Sequence, residues 1–156
     1  MTTIYLIRHG QASFGAESYD QLSPNGELQA KLLGRYFERI LKEAPYVVAG
    51  SMQRHQQTAQ LALAECFPEV EIQTDSAWNE FNHQQVFAQY EPRFNHPELM
   101  KQDVAKEVNP RAYLAKIFEG AIERWTGGEY HHEYEDCWPR FKQREDVALQ
   151  HFCADL

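Results

Sequence analysis

The sequence predicts an α/β fold in which a mostly parallel sheet lies between two layers of helices, a three-layer α/β/α arrangement. An apolar run without polar alternation, Ile4-Tyr5-Leu6-Ile7, is typical of a strand buried on both faces. A helical pattern, a second short apolar run, a second helical pattern and a third strand pattern follow it in alternation. The 156 residues suffice for one such core, so we treat residues 1–156 as a single domain.

The first helix is predicted to begin at Ser23-Pro24, because serine is a good N-cap and proline suits the first helical position. It should end at Ala44-Pro45, since a residue before proline avoids the helical conformation. Apolar residues recur at helical spacing and predict one buried face, formed by Leu28, Leu32, Leu33, Tyr36, Phe37, Ile40 and Leu41.

A second strand is predicted over residues 46–49, and the helix after it over about residues 53–67, ending before Pro68. Alternation at Val70, Ile72 and Thr74 predicts a third strand that is half exposed near a sheet edge.

The rest of the chain is predicted to be helical. Residues 82–128 form an insertion, a lid over the ligand-binding edge of the sheet, whose main helix follows Pro110 and ends at Gly127-Gly128. The last helix is predicted over about residues 139–153, and no further buried strand follows it.

Composition excludes several classes of function. The net charge of −8, without any Lys/Arg cluster, argues against nucleic-acid binding. No apolar run is long enough to span a membrane, and no secretory signal is recognisable at the N-terminus. Three scattered cysteines without a Cys-x-x-Cys pair fit reduced thiols, so we expect a cytoplasmic protein.

Polar side chains follow each of the three predicted strands. Arg8-His9-Gly10 follows the first, Ser51 and Arg54 follow the second, and Glu80 follows the third. Because the carboxyl ends of parallel strands meet at one edge of a sheet, we expect these residues to lie close together. The sequence therefore predicts a ligand site that combines two guanidinium groups, one imidazole and one carboxyl group.

This combination suits phosphoryl transfer. Arg8 and Arg54 can bind phosphate oxygens, and the start of the second helix favours anions. His9 can attack phosphorus as a nucleophile, and Glu80 can protonate a leaving oxygen and later activate water. Gly10 would let the backbone approach a bound group, while Gln11 and Ser51 are candidate substrate contacts.

Four ordered motifs resemble the histidine phosphatase superfamily, the phosphoglycerate-mutase-like proteins. They are Arg8-His9-Gly10, the segment 22–26 with Gln29-Ala30, Ser51 and Arg54 with residues 57–59, and the segment 78–81. The resemblance implies a phosphoglycerate-mutase-like fold and a phosphohistidine on His9. It also implies phosphoryl binding by Arg8 and Arg54, proton donation by Glu80, and a reaction without a metal or another cofactor.

The chain departs from this family at its C-terminal end. Family members carry a second catalytic histidine, in a Ser-His-Gly-type segment, after a further core strand, and this sequence ends at Leu156 without them. We therefore expect the last core strand or strands to be missing and activity to be weak or absent. We also expect self-association into a homo-oligomer, because an incomplete sheet exposes edges and apolar faces.

We predict hydrolysis of a small-molecule phosphate monoester. The segment 11–15 lacks the asparagine that the family's mutases have there, and residues 82–128 contain few basic residues. Two alternatives stay open. One is phosphoryl transfer of the phosphoglycerate-mutase type, and the other is a non-catalytic protein that binds phosphate-bearing ligands.

Each candidate residue also has a purely structural interpretation. His9 could be a hydrogen-bonded core histidine, Arg54 a solvated helix residue, and Glu80 a helix cap. If Glu80 is a cap, the other candidate carboxylates are Glu17, Glu27 and Asp75. Gln11 and Ser51 could serve only in turns. The segment 129–137 contains residue types that bind zinc, but we predict a solvated acidic loop there and no metal site.

Overall fold

Helices dominate the part of the chain that the structure describes, residues 2–13 and 20–154 of a computed structural model. The α-helices are α1 (Pro24–Ile40), α2 (Gln53–Cys66), α3 (His83–Tyr90), α4 (Pro97–Lys106), α5 (Pro110–Thr126) and α6 (Trp138–Ala154). Short 3₁₀ helices lie at Ser76–Trp78, Pro92–Asn95 and His131–Glu133. Every predicted helix is therefore present, and the starts and ends of α2 and α6 lie within about a residue of those expected.

Two strands pair in parallel, as predicted for an α/β fold. Strand β1 (Val47–Ala49) and strand β2 (Ile72–Thr74) are joined by the crossover helix α2, and Val47 lies opposite Ile72. The parallel sheet between helical segments confirms the α/β class. The three-layer arrangement stays a prediction, because the described residues form a sheet of two strands only.

The segment Ile4–Ile7 differs from the prediction of a strand buried on both faces. It is not part of the sheet in the described residues, and its four side chains are all exposed, Leu6 most of all at 76%. A strand exists only through hydrogen bonds to a neighbouring strand, and no described segment pairs with this one. The apolar run is therefore extended chain rather than sheet.

Helix α1 begins as predicted and buries Phe37 of the predicted face, but its other buried positions are small residues. The Ser23 hydroxyl accepts a hydrogen bond from the Gly26 amide at 3.1 Å and caps the helix. The buried positions are Gly26, Ala30, Gly34 and Phe37, whereas Leu28, Leu32, Tyr36 and Ile40 of the predicted face are exposed. The reason is close helix packing. A Cβ on Gly34 would clash with the backbone carbonyl of Ala62 in α2, so small residues make this contact.

The chain divides into two compact units, Met1–Glu80 with His151–Leu156 and Phe81–Gln150. The second unit has its own core of Val86, Ala121, Trp125, Tyr134 and Cys137. Aromatic rings extend that core, since Phe81 stacks on Trp125 with centroids 4.7 Å apart. The predicted insertion, residues 82–128, therefore belongs to a unit with a separate core. Its role as a lid, and the single-domain organisation, stay predictions.

The acidic segment 129–137 is packed rather than fully solvated. Tyr134 and Cys137 are buried, and two of the four carboxylates, those of Glu133 and Asp136, are paired with arginines. Arg124 binds Glu133 at 2.6 Å, and Arg144 binds Asp136 at 3.0 Å. These carboxylates therefore serve as partners of arginines in the second unit.

None of the helices among residues 2–13 and 20–154 combines the length and the apolar composition that a membrane span requires.

We predict that the exposed apolar side chains of the first unit drive self-association. Ile4, Leu6, Ile7 and, on α1, Leu28 and Leu32 leave a large apolar area in contact with water. Sedimentation velocity should show concentration-dependent association that Leu6→Asp weakens. Val108→Asp is the matched control, because Val108 is a fully exposed valine in the second unit. A protein that stays monomeric across the whole concentration range contradicts this prediction.

Candidate active site

His9 follows the extended segment Ile4–Ile7, and its ring is held in one orientation. The side chain is only 12% exposed, and Nδ1 lies 2.7 Å from the carbonyl oxygen of Gly10. Because a carbonyl oxygen can only accept, Nδ1 must carry a hydrogen. The other ring nitrogen, Nε2, therefore faces the remaining groups of the site.

Gly10 is buried and joins the His9 segment to α1 and α2. Its amide donates to the Thr58 hydroxyl at 3.0 Å, and that hydroxyl donates to the Arg54 carbonyl at 2.7 Å. A Cβ on Gly10 would lie 3.0 Å from the carbonyl carbon of Gly26, so the absence of a side chain permits this close approach. The sequence analysis predicted that Gly10 lets the backbone approach a ligand. In the structure, Gly10 lets its segment pack closely against Gly26 of α1.

Arg54, in the first turn of α2, is the buried cation of the site. Its side chain is 3% exposed, which rules out a solvated helix residue. The guanidinium donates to Asp20 at 2.8 Å and to Glu80 at 3.0 Å, and its Nε lies 3.3 Å from Nε2 of His9. Arg54 thus lies beside His9 and Glu80, although the segment before His9 is not a strand in the described residues.

Asp20 is a member of the site that the sequence did not reveal. Its carboxylate accepts from the Gln53 amide at 2.8 Å, at the N-terminus of α2, and from the Arg54 guanidinium. A helix N-terminus with an arginine is where we predicted a phosphate group. The carboxylate of Asp20 therefore occupies an anion position, and no local pattern around residue 20 indicates this contact.

Glu80 lies beside His9 and not at a helix start. Asp75 caps the 3₁₀ helix Ser76–Trp78 and Asn82 caps α3, so the alternative role of Glu80 as a cap does not apply. Its carboxylate lies 3.1 Å from Nε2 of His9. Hydrogen bonding to His9, and then to Arg54, lowers the pKa of Glu80 to about 2, so the group is a carboxylate at neutral pH.

His55 is the second imidazole of the site. Its ring stacks on that of His9 with centroids 5.5 Å apart, and it lies against the backbone of Gly50. Burial, and then the positive charge of Arg54, lowers the pKa of His55 to about 4. The sequence analysis assigned no role to His55, and helical spacing gave no signal for one, because consecutive helix residues do not share a face.

Three predicted site residues lie outside this cluster of contacts. Arg8 is exposed and forms no hydrogen bond or ion pair with the described residues. The Gln11 side chain accepts from Ser23 and Asn25 near the start of α1. Ser51 exchanges hydrogen bonds with Asn79, at 2.7 Å through its amide and at 2.9 Å through its hydroxyl. Their roles in binding a substrate stay predictions.

The other carboxylates that were candidates for the role of Glu80 do not contact His9 where the structure describes them. Asp75 caps a 3₁₀ helix by accepting from the Ala77 amide at 2.8 Å. Glu27 is exposed in the first turn of α1, and Glu17 lies outside the described residues. Among the three of these carboxylates that the structure describes, Glu80 is the one placed against His9.

The arrangement supports two protonation states of His9. In the neutral ring, the one lone pair of Nε2 accepts from Nε of Arg54, and the same lone pair can attack an electrophile once Arg54 releases it. In the protonated ring, Nε2 donates to Glu80. The same site also brings donor atoms of His9, His55 and Glu80 within 4.8 Å of one another, as ligands of one metal ion must be.

The family model described as the histidine phosphatase superfamily (branch 1) matches residues 4–126, which include His9, Arg54 and Glu80. Comparisons with curated proteins and with solved structures give no significant match.

We predict that His55 makes the free energy of unfolding depend on pH. Its pKa is about 4 in the folded protein and near 6.5 in the unfolded chain, so the unfolded state binds more protons between these values. Stability contributed by the neutral ring should fall as the pH drops from 6.5 to 4 and change no further below that range.

An NMR titration of the His55 Cε1–H resonance should have its midpoint near pH 4. Thermal unfolding of His55→Gln at several pH values should lose the corresponding slope. A midpoint near 6.5 would show that the ring is not buried beside Arg54 and would contradict the prediction.

Proposed function

Because the chain belongs to the histidine phosphatase superfamily, whose members are generally phosphoryl-transfer enzymes, we propose that it hydrolyses a small-molecule phosphate monoester through a phosphohistidine on His9. The observation that carries the proposal is the position of Nε2 of His9, 3.3 Å from Nε of Arg54 and 3.1 Å from the Glu80 carboxylate. A nucleophile, a fixed cation and a proton-transfer group are thus in mutual contact.

The first step is attack by the Nε2 lone pair of His9 on phosphorus. A P–N bond forms while the P–O bond to the leaving group breaks, and the leaving oxygen takes up a proton. The hydrogen bond from Nδ1 to the Gly10 carbonyl supports this step, because it keeps the lone pair on Nε2.

Phosphoryl oxygens would bind where carboxylates bind in the free protein. Arg54 donates to Asp20 and Glu80, and the α2 N-terminus donates to Asp20 through the Gln53 amide. A phosphate ester replaces these acceptors with its own oxygens, which carry more charge and can accept from the guanidinium as a pair. Substrate binding therefore includes the displacement of at least one carboxylate.

That displacement would give Glu80 its role as a proton donor. With a pKa of about 2, Glu80 carries no proton at neutral pH in the free protein. When Arg54 turns to the phosphoryl group and a second anion lies nearby, the carboxylate loses stabilisation and its pKa rises. Glu80 can then take up a proton from the solvent and give it to the leaving oxygen. As a carboxylate again, it can accept a proton from the water that breaks the P–N bond.

We propose slow turnover and hydrolysis rather than mutase chemistry. Two arginines were predicted to bind the phosphoryl group. Among the described residues, Arg54 contacts His9, whereas Arg8 is exposed. A phosphoryl group held by one arginine lacks part of the charge stabilisation that fast transfer needs. The segment 11–15, without the asparagine of the mutases, favours water over a second substrate as the acceptor.

We also propose that the reaction takes place in the cytoplasm. Cys66, Cys137 and Cys153 are all free thiols, which is typical of proteins in a reducing compartment.

We predict that the protein forms an acid-labile phosphohistidine when it is mixed with p-nitrophenyl phosphate. Intact-mass measurement at alkaline pH should show the addition of one phosphoryl group, because the P–N bond survives there. His9→Asn should abolish the addition. His151→Asn, which replaces an exposed histidine of α6, is the matched control and should be labelled like the parent.

Equal labelling or equal hydrolysis by the parent and His9→Asn would refute the proposed mechanism. Binding of inorganic phosphate without any labelling at His9 would instead support the non-catalytic alternative.

A further inference from the structure

His9, His55 and Glu80 bring two imidazoles and one carboxylate close together. Their donor atoms lie within 4.8 Å of one another, and all three residues are half-buried. This is the one group of its kind among residues 2–13 and 20–154. The proposed phosphoryl transfer uses His9 and Glu80 but assigns no function to His55.

The distances in this group are close to those of a metal site. Bonds of about 2.0–2.2 Å from a metal to nitrogen and oxygen ligands put adjacent ligands roughly 3–3.5 Å apart. The 3.1 Å separation between Nε2 of His9 and the Glu80 carboxylate is already in that range. The widest separation in the group, at most 4.8 Å, closes to a bonding arrangement with side-chain shifts of about 1 Å.

The hydrogen bond on the far side of the His9 ring also suits a metal ligand. Nδ1 lies 2.7 Å from the Gly10 carbonyl, which fixes the ring and, in its neutral form, places the lone pair on Nε2. Histidines that bind metals commonly donate their other ring N–H to a backbone carbonyl in this way.

The charge of the site permits a dication although Arg54 lies in it. Two carboxylates, Asp20 and Glu80, face the single buried guanidinium. When Glu80 turns to a metal ion, Arg54 keeps its ion pair with Asp20 at 2.8 Å. The positive charge of the guanidinium lowers the affinity for the metal. Arg54 nevertheless keeps a carboxylate partner when the metal binds.

The donor set selects the class of metal. Two imidazole nitrogens and one carboxylate suit Zn²⁺, Co²⁺, Ni²⁺ and Cu²⁺, whereas Mg²⁺ and Ca²⁺ prefer sites made of oxygen ligands. Three protein ligands leave coordination positions for water.

We propose that His9, His55 and Glu80 bind a divalent transition-metal ion such as Zn²⁺, and that the bound ion blocks phosphoryl transfer. The metal takes the Nε2 lone pair with which His9 would attack phosphorus. The block rests on the proposed function, whereas the binding itself does not.

The binding test uses the full-length protein without an affinity tag, after treatment with EDTA. Calorimetry with Zn²⁺ and visible absorption with Co²⁺ should both show one site per chain. His55→Ala and Glu80→Gln should each weaken binding by at least about tenfold. His132→Ala is the matched control, because His132 is an exposed histidine 3.9 Å from the Glu133 carboxylate, and it should bind like the parent.

Circular dichroism and thermal unfolding of each variant separate loss of ligands from loss of folding. Unchanged metal binding by folded His55→Ala would overturn the assignment, as would loss of binding in His132→Ala.

The block is tested by labelling His9 from p-nitrophenyl phosphate with and without excess Zn²⁺. Zn²⁺ should prevent labelling and EDTA should restore it, whereas labelling that continues with Zn²⁺ bound would refute the block. Metal binding without any labelling in EDTA refutes the proposed function alone. Labelling without metal binding refutes this inference alone.

Discussion

The buried guanidinium of Arg54 is the constraint on which the candidate site depends. At 3% exposure it has lost most of its hydration, which is costly unless charged partners replace the water. Asp20 and Glu80 supply those partners, and each thereby fixes a different segment of chain next to α2. Nε2 of His9 meets the same guanidinium, so the placement of one cation orders the nucleophile and both carboxylates.

The carboxylates that stabilise Arg54 in the free protein compete with the anion that the site is proposed to bind. A phosphoryl group can accept hydrogen bonds from the guanidinium only when a carboxylate releases them. The pKa of Glu80 changes with that exchange. In the free protein the two carboxylates and two imidazoles also favour a cation. One arrangement of charges thus underlies the proposed displacement of a carboxylate by phosphate, the proposed proton donor and the proposed metal site.

Local signals in the sequence predicted the helices and both paired strands, because caps, prolines and periodicity act over a few residues. The prediction of a strand at Ile4–Ile7 was wrong, because strand formation depends on a partner strand elsewhere in the chain. The predicted buried face of α1 was only partly right. Phe37 is buried as predicted, but small residues such as Gly34 allow a contact that apolar periodicity does not reveal. His9, Arg54 and Glu80 were expected together, whereas Asp20 and His55 join them through tertiary contacts only.

The most direct test of this account is the affinity for inorganic phosphate of Asp20→Asn, measured by calorimetry beside Asp103→Asn. Asp103 also pairs with an arginine, Arg93, at 2.8 Å, but in the second unit. If the Asp20 carboxylate occupies the phosphoryl position on Arg54, its neutralisation should tighten phosphate binding about fivefold, and Asp103→Asn should have no effect. Weaker or unchanged binding by a folded Asp20→Asn would contradict the account.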